Sequence, residues 1–176
     1  MKLYQSKVPQ IANEVIKTLM QSDSIEVELA NVGESELDLV AIMEEYLRRD
    51  RSLVESVREY MHRRSVPYNQ FGRMRSRRAE EQSHPLGEDV EKFLARQFLE
   101  NFMISNHVEE VFASDRHILN QILEVLMRHH VDEKAIREEA RQKILNISEG
   151  SVEYEIALRK AIKEVKLRHG LIQPRR

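Results

Sequence analysis

Six arginines and two aromatic residues lie close together near the middle of the chain, in a segment that has no acidic residue. Between His62 and Ala79 (HRRSVPYNQFGRMRSRRA) the arginines are Arg63, Arg64, Arg73, Arg75, Arg77 and Arg78, and the aromatic residues are Tyr68 and Phe71. A guanidinium can hold a phosphate through two parallel hydrogen bonds or stack on a nucleobase, and aromatic rings stack on unpaired bases. The segment therefore favours an anionic partner, RNA or a ribonucleoprotein. Duplex DNA is less favoured, because duplex readers usually present a longer basic face and a helix-turn-helix signature.

The distribution of charge leaves a second interpretation of the arginines open. The net charge of the chain is −2, and removing the six arginine charges leaves −8 on the other residues. Those acidic residues offer partners within the chain or in another subunit, so the arginines could serve ion pairing alone. On a helix, Arg73 and Arg77 would share a face, with Arg75 and Arg78 on the side beyond.

The remaining side chains give little sign of catalysis. The chain has no cysteine, which excludes disulfides, thiolate chemistry and cysteine metal sites. Its closest glycines are 15 residues apart, whereas phosphate-cradling loops need clustered glycines. We predict no catalytic residue, no metal and no cofactor, and an enzyme of unrecognised type remains an alternative.

The elements that position the arginines follow from an internal repeat. Residues 11–29 match residues 94–112 at a constant shift of 83, with apolar positions over apolar positions, and the match continues with small offsets to Met61 and Ile144. The repeated feature is a packing pattern. It predicts two similar three-helix units, and we expect them to pack together because a unit of about 80 residues buries only roughly 60–65% of its unfolded surface.

The repeat also tests the most metal-like motif, Glu59-x-x-His62. Di-iron helical bundles use two Glu-x-x-His motifs on facing helices. At the shift of 83 the motif falls on Gln142 and Leu145, so the second copy is missing. We expect a solvent-facing helix end.

The pairs Glu44 with Arg48 and Glu124 with Arg128 are four residues apart, which favours ion pairs within a helix.

Helical periodicity of apolar residues runs through most of the chain. In the first unit we expect a helix capped by Ser6, a second helix after Ser35, and a third capped by Asp50 or Ser52. In the second unit we expect helices after Gly87, Asp115 and Asp132, then a last helix from about Ser151 to Arg168, ended by Gly170. The segments 25–29 and 108–112 are predicted as short extended or helical-turn linkers, with a two-stranded ribbon as the minority alternative.

The predicted fold is therefore mostly α, with two duplicated three-helix units and a C-terminal helix. We divide the chain into a first repeat (1–62), a basic connector (63–85) and a second repeat with the last helix (86–176). Seven methionines and broad apolar helix faces would also suit a structural protein that forms helical homo-oligomers. No apolar run reaches the length of a membrane span or of a signal peptide, so we expect a cytoplasmic protein without a membrane partner.

Four short motifs carry a resemblance to a known family. They are Met1-Lys2-Leu3-Tyr4 followed by Val8-Pro9 and Ile11-Ala12, then Val66–Gly72 (VPYNQFG), His107–Phe112 (HVEEVF) and Arg168–Leu171 (RHGL). Together they resemble a bacterial family, domain-of-unknown-function family 507, over essentially the whole chain. The resemblance implies a bacterial, cytoplasmic protein. It brings no catalytic or binding residues, because none is assigned in that family.

Overall fold

The computed structural model describes residues 1–144, 148 and 151–174. Within these residues the chain forms helices and one small sheet, and the mostly helical fold predicted from the sequence is confirmed. The elements are α1 (Val8–Gln21), β1 (Ile25–Glu26), α2 (Val32–Arg63), α3 (Phe71–Glu81), α4 (Asp89–Phe102), β2 (Glu110–Val111), α5 (Asp115–Arg128), α6 (Glu133–Gln142) and α7 (Val152–Arg168). Short 3-10 turns precede α1 (Gln5–Lys7) and α3 (Tyr68–Gln70).

The central core lies between α1, α4, α5 and the first half of α2. The predicted apolar stripe of α1 is fully buried there, and Phe98 of α4 is the largest side chain without solvent contact. Helix α1 packs on α2 and α5, and α4 packs on α5 and α2. In the predicted repeat α1 corresponds to α4 and α2 to α5. The contact of α1 with α2 thus has its counterpart in that of α4 with α5, although the duplication itself stays a prediction.

Two short strands join the halves on one side of the core. Ile25 pairs with Val111 and Glu26 with Glu110, in antiparallel register. Both segments are short and extended, and the two-stranded ribbon that was the minority alternative is formed. The alternation of Ile25, Glu26 and Val27 accounts for it, because the two apolar residues are buried while the glutamate faces solvent.

Two smaller apolar clusters flank the central core. In the first, Leu53, Val57 and Met61 of α2 pack against Ala79 of α3. In the second, α6 packs on α7, with Tyr4 from the N-terminal segment filling the space between them. The segment 63–85 is therefore helical over much of its length and lies against α2. The domain division proposed above stays a prediction.

The first half differs from the predicted three-helix unit because α2 is continuous. It runs through Asp50 and Ser52, where a helix end and a new cap were expected. The prediction of two helices here was wrong. Both residues are good caps, but a cap forms only where the chain leaves the helix, and residues 34–63 contain no glycine or proline to end it.

Several helix termini also differ from the predictions. Helix α1 begins at Val8, and Ser6 does not cap it, because Ser6 lies inside the 3-10 turn that leads into the helix. Its hydroxyl donates to the carbonyl of Leu171. Helix α2 begins at Val32, and Ser114, not Asp115, occupies the N-cap position of α5. Asp132 does cap α6, accepting from the backbone nitrogens of Lys134 and Ala135.

The two predicted ion pairs within helices are replaced by others. Arg48 donates twice to Glu45, one turn earlier in α2, with both distances at 2.7 Å. Arg128 reaches from α5 to Glu14 of α1 at 2.7 Å, so it joins two helices of the core. Among the described residues, no helix has both the length and the apolar character needed to cross a membrane.

Candidate nucleic-acid interface

The arginine segment begins at the last residues of α2 and reverses direction before α3. Arg64 ends α2, and Ser65 takes a left-handed conformation with φ of 50°. The backbone nitrogen of Val66 then donates to the carbonyl of Met61 at 2.9 Å, which is the bond that closes a Schellman turn. Pro67 is extended, as the sequence predicts for a segment that cannot continue the helix, and it leads into the 3-10 turn.

The six arginines do not form one surface, because two lie at the end of α2 and the four on α3 point to different sides of that helix. Arg75 faces the body of the protein and pairs with Asp50 of α2 at 2.6 Å. Arg77 and Arg78 line a small hollow with Tyr60 and Glu81. Arg63, Arg64 and Arg73 are exposed to solvent at or near the turn.

Arg77 and Arg78 have partners within the hairpin of α2 and α3. Arg77 donates to Glu81 on the same helix at 3.1 Å, in an exposed pair. The guanidinium of Arg78 lies over the ring of Tyr60, 5.8 Å from its centroid. Such contacts contribute about 0–1 kcal/mol each, but they occupy the groups that a phosphate would need.

The exposed arginines near the turn are held more loosely. Arg63 lies 3.7 Å from Glu59, and both side chains are about three-quarters exposed, so solvent screens the pair. Arg64 and Arg73 make no ion pair with the described residues. These three guanidiniums remain available to an external anion.

The two aromatic residues of the segment stack on one another at the turn. The rings of Tyr68 and Phe71 lie 5.6 Å apart at an interplanar angle of 16°. We call this pair of stacked rings the Tyr68–Phe71 ladder. Phe71 packs against the cluster between α2 and α3 and so holds the pair in place, whereas Tyr68 is 64% exposed. Arg159 of α7 covers the Tyr68 ring at 5.8 Å.

Beside this ladder the surface is hollow. A depression of about 490 Å³ is lined by Arg58, His62, Tyr68, Phe71 and neighbouring apolar residues. A second depression of the same size shares Arg58 and His62 and adds Arg63 and its partner Glu59. We call the residues Arg58, His62, Arg63, Arg64, Tyr68 and Phe71 the basic turn.

Sequence reasoning missed Arg58 and Arg159. Arg58 could have been found, because on a continuous α2 it stands four residues before His62 and five before Arg63. Arg159 has no sequence signal, since its approach to Tyr68 depends on how α7 packs.

The metal-like motif lies at the end of α2, where Glu59 and His62 are exposed. The repeat counterpart of His62, Leu145, lies outside the described residues. No group of three or more potential metal-ligating side chains occurs in the described part of the chain.

The inward side of α3 contains a packed polar cluster. Asp50 accepts from Arg75 at 2.6 Å and lies 3.3 Å from Nε2 of His84, whose ring stacks on Tyr46 at 4.9 Å. Burial lowers the pKa of His84, although Asp50 works in the opposite direction. Burial, together with the charge of Asp50, raises the pKa of Tyr46 to about 12, so its hydroxyl stays protonated and donates to the carbonyl of Pro85.

The fold and the site define a mostly helical protein with a basic turn joining two of its helices. The chain belongs to the family described as "Protein of unknown function (DUF507)", whose model matches residues 1–171. No curated protein matches the chain.

Proposed function

We propose that this protein is a non-enzymatic binding or adaptor protein that grips single-stranded RNA, free or in a ribonucleoprotein, through the basic turn. The observation that carries the proposal is the position of the Tyr68–Phe71 ladder beside a hollow lined by Arg58 and His62. The Tyr68 ring is 64% exposed, and an unpaired base can stack on it in place of the exposed Arg159 guanidinium. Neighbouring guanidiniums can then bind the phosphates that flank the base. A cytoplasmic location would give the site access to such RNA.

The site we propose is smaller than the segment that the sequence suggests. Arg75 is directed inward, and Arg77 and Arg78 are paired within the hairpin. The proposed RNA site keeps Arg63, Arg64, Tyr68 and Phe71 from the sequence prediction. It also includes Arg73, which extends it along α3, and Arg58, which the sequence prediction missed.

The test is the binding of fluorescein-labelled single-stranded RNA, followed by fluorescence anisotropy across a salt series. The triple variant Arg58→Gln, Arg63→Gln, Arg64→Gln should bind at least about 10-fold more weakly at low salt. The slope of log K against log salt should become shallower by about 2, since each phosphate contact on a single strand contributes about 0.7.

A matched control loses the same charge elsewhere. Lys17, Arg96 and Arg116 are exposed on α1, α4 and α5, and replacing all three by glutamine removes three positive charges away from the turn. RNA affinity should change by no more than about 2-fold in this variant, because only nonspecific attraction is reduced. Equal losses in the two triple variants, or no RNA binding by the wild type, would rule out the site.

A second candidate function is assembly with further copies of the chain. It is favoured by the negative charge at the end of α2 opposite the basic turn. Glu26, Glu28, Glu109 and Glu110 are exposed on and beside the two strands, and we call them the acidic ribbon. Partial desolvation and the neighbouring carboxylates of Glu28 and Glu26 raise the pKa of Glu109. Leu29, at the edge of this surface, is 90% exposed.

These features would let the basic turn of one copy meet the acidic ribbon of the next. Light scattering at tens of micromolar protein separates the two candidates. A mass that rises with concentration and falls with salt would favour assembly, whereas a strict monomer would count against it.

A further inference from the structure

A cleft of about 710 Å³ opens where the three apolar clusters of the protein meet. Leu3 and Tyr46 contribute from the central core, Leu86 from the cluster of α2 and α3, and Val131 from the side of α6 and α7. We call it the junction cleft. It lies on the inward side of α3, away from the basic turn, and its size is that of a small-molecule site.

Part of the wall of the junction cleft is apolar, and its largest side chain is held in place. Leu3 and Tyr46 are buried, and Tyr46 is fixed by its stack on His84 and its hydrogen bond to Pro85. Leu86 and Val131 are partly exposed at the opening. An apolar group that enters can be removed from water without rearranging these walls.

The lining of the cleft carries charges of both signs: the cationic side chains are Lys2, Arg75 and Lys134, and the carboxylates are those of Asp50, Glu88, Asp132 and Glu133. Lys2 and Lys166 both approach Glu133, at 3.8 Å and 2.9 Å, and both lie over the ring of Tyr4. Two ammonium groups thus share one carboxylate, which also accepts from the Tyr4 hydroxyl. Burial and the repulsion from Lys166 lower the pKa of Lys2, and Arg75 adds to the repulsion.

The carboxylates that face the cleft are largely engaged. Asp50 is bound by Arg75 and lies beside His84, and Asp132 caps α6 through two backbone nitrogens. Glu88 is exposed at the opening. One terminal nitrogen of Arg75 donates to Asp50, and its buried Nε has no hydrogen-bond partner among the described residues.

We infer that the junction cleft binds a small molecule that has an apolar body and one anionic group, a carboxylate or a phosphate, held between Lys2 and Arg75. The anion relieves the repulsion among Lys2, Lys166 and Arg75 and provides an acceptor for the guanidinium. The apolar body lies against Leu3, Tyr46 and Leu86. This site is independent of the proposed RNA function and uses different residues.

The experiment uses four probes with the same eight-carbon chain and different head groups. The full-length protein, labelled with ¹⁵N, is titrated with octanoate, octyl phosphate, octanol and octylammonium at millimolar concentration, and its amide spectrum is followed. Octanoate, octyl phosphate or both should give saturable shifts confined to the amides around Leu3, Leu47, Gly87 and Val131, and which of them binds more tightly identifies the head group. Octanol and octylammonium should give far smaller shifts.

Variants tie the binding to the named side chains. Lys2→Gln should weaken binding of the preferred anionic probe by about 5-fold or more, as expected for the loss of one charge-assisted contact. Arg77→Gln, which removes an exposed charge from α3 outside the cleft, should leave the affinity unchanged. Arg75→Gln should also weaken binding, and if it fails to fold, Lys2→Gln decides alone.

Any one of three results would overturn the inference. Shifts of equal size from octanol and from the anionic probes would remove the role of charge. The absence of saturable shifts from any probe, or unchanged affinity in Lys2→Gln, would remove the site.

Discussion

The guanidinium of Arg75 lies 2.6 Å from the carboxylate of Asp50, so one arginine of the basic segment joins α3 to the middle of α2. The same carboxylate lies 3.3 Å from the buried imidazole of His84, on the segment that leaves α3. Asp50 thus links two elements on either side of it. Together with the apolar cluster between α2 and α3, this linkage holds a segment rich in arginine against the protein.

Replacing Arg75 by methionine should destabilise the protein by about 1–2 kcal/mol. The pair is about a third exposed, so its loss falls between the small cost of an exposed ion pair and the larger cost of a buried one. Urea unfolding gives the free energy. Arg73→Met, on the exposed face of the same helix, should change it by no more than about 0.5 kcal/mol. Equal effects in the two variants would show that the Asp50 pair is not structural.

Replacing Ser52 by alanine should stabilise the protein by about 0.5 kcal/mol. Ser52 is exposed inside α2, where alanine has the higher helix propensity. If the chain left the helix here, as the sequence pattern suggested, the loss of a cap would instead destabilise it by about 1 kcal/mol. Ser151→Ala is the matched control, because Ser151 does cap α7 by accepting from the nitrogen of Tyr154 at 3.0 Å. The sign of the Ser52 effect in urea unfolding decides between the two structures.

His84 should make the protein less stable as the pH falls below about 6.5. Burial lowers the pKa of His84 in the folded protein, against the attraction of Asp50 and with the repulsion of Arg49 and Arg75. The unfolded chain therefore takes up the proton first, and the free energy of unfolding decreases through this window until the folded form also titrates. Above it the imidazole is neutral in both states and has no effect.

The variant His84→Phe isolates this contribution. Phenylalanine can keep the stack on Tyr46, and Asp50 keeps Arg75, but the titrating group is gone. The difference in unfolding free energy between about pH 7.5 and about pH 5.5 should be smaller than in the wild type. His117→Gln, a change at an exposed histidine, should leave that difference unchanged. An undiminished difference in His84→Phe would assign the pH dependence to other groups.

Tyr68→Ala should weaken the proposed binding of RNA about 10-fold, whereas Tyr68→Phe should keep most of it. The stacking of a base on an aromatic ring contributes about 1–3 kcal/mol, and the hydroxyl is not needed for it. Tyr60→Ala, which removes the ring beneath Arg78 in a separate hollow, serves as the control. Anisotropy titrations with the same RNA provide the comparison. Tyr60 and Tyr68 variants that lose the same affinity would contradict the assignment of the stacking site.

The sequence predicts the parts of this fold that depend on periodic apolar residues. The stripe from Val8 to Leu19, the position of α7 and the turn at Gly170 are all confirmed. Such features are encoded by neighbours along the chain, so local patterns suffice to find them.

Helix ends that depend on an unexpected backbone conformation could not be found in this way. Asp23, Ser65 and Ser83 take left-handed conformations after α1, α2 and α3, where glycine is the usual signal. The backbone nitrogens of the next residues, Ser24, Val66 and His84, close these turns by donating to carbonyls five residues earlier. The candidate site was predictable in composition but not in shape, because the partners of Arg75, Arg78 and Tyr68 come from other helices.

The continuous helix α2 separates two groups of opposite charge. Its 32 residues extend about 48 Å at 1.5 Å per residue, with the acidic ribbon beside the first turn and the basic turn after the last. Negative charge near the N-terminus and positive charge near the C-terminus of a helix complement the helix macrodipole. The acidic ribbon and the basic turn thus contribute an electric dipole directed along α2. In the field of a polyanion this contribution would favour approach with the C-terminal end of α2 first.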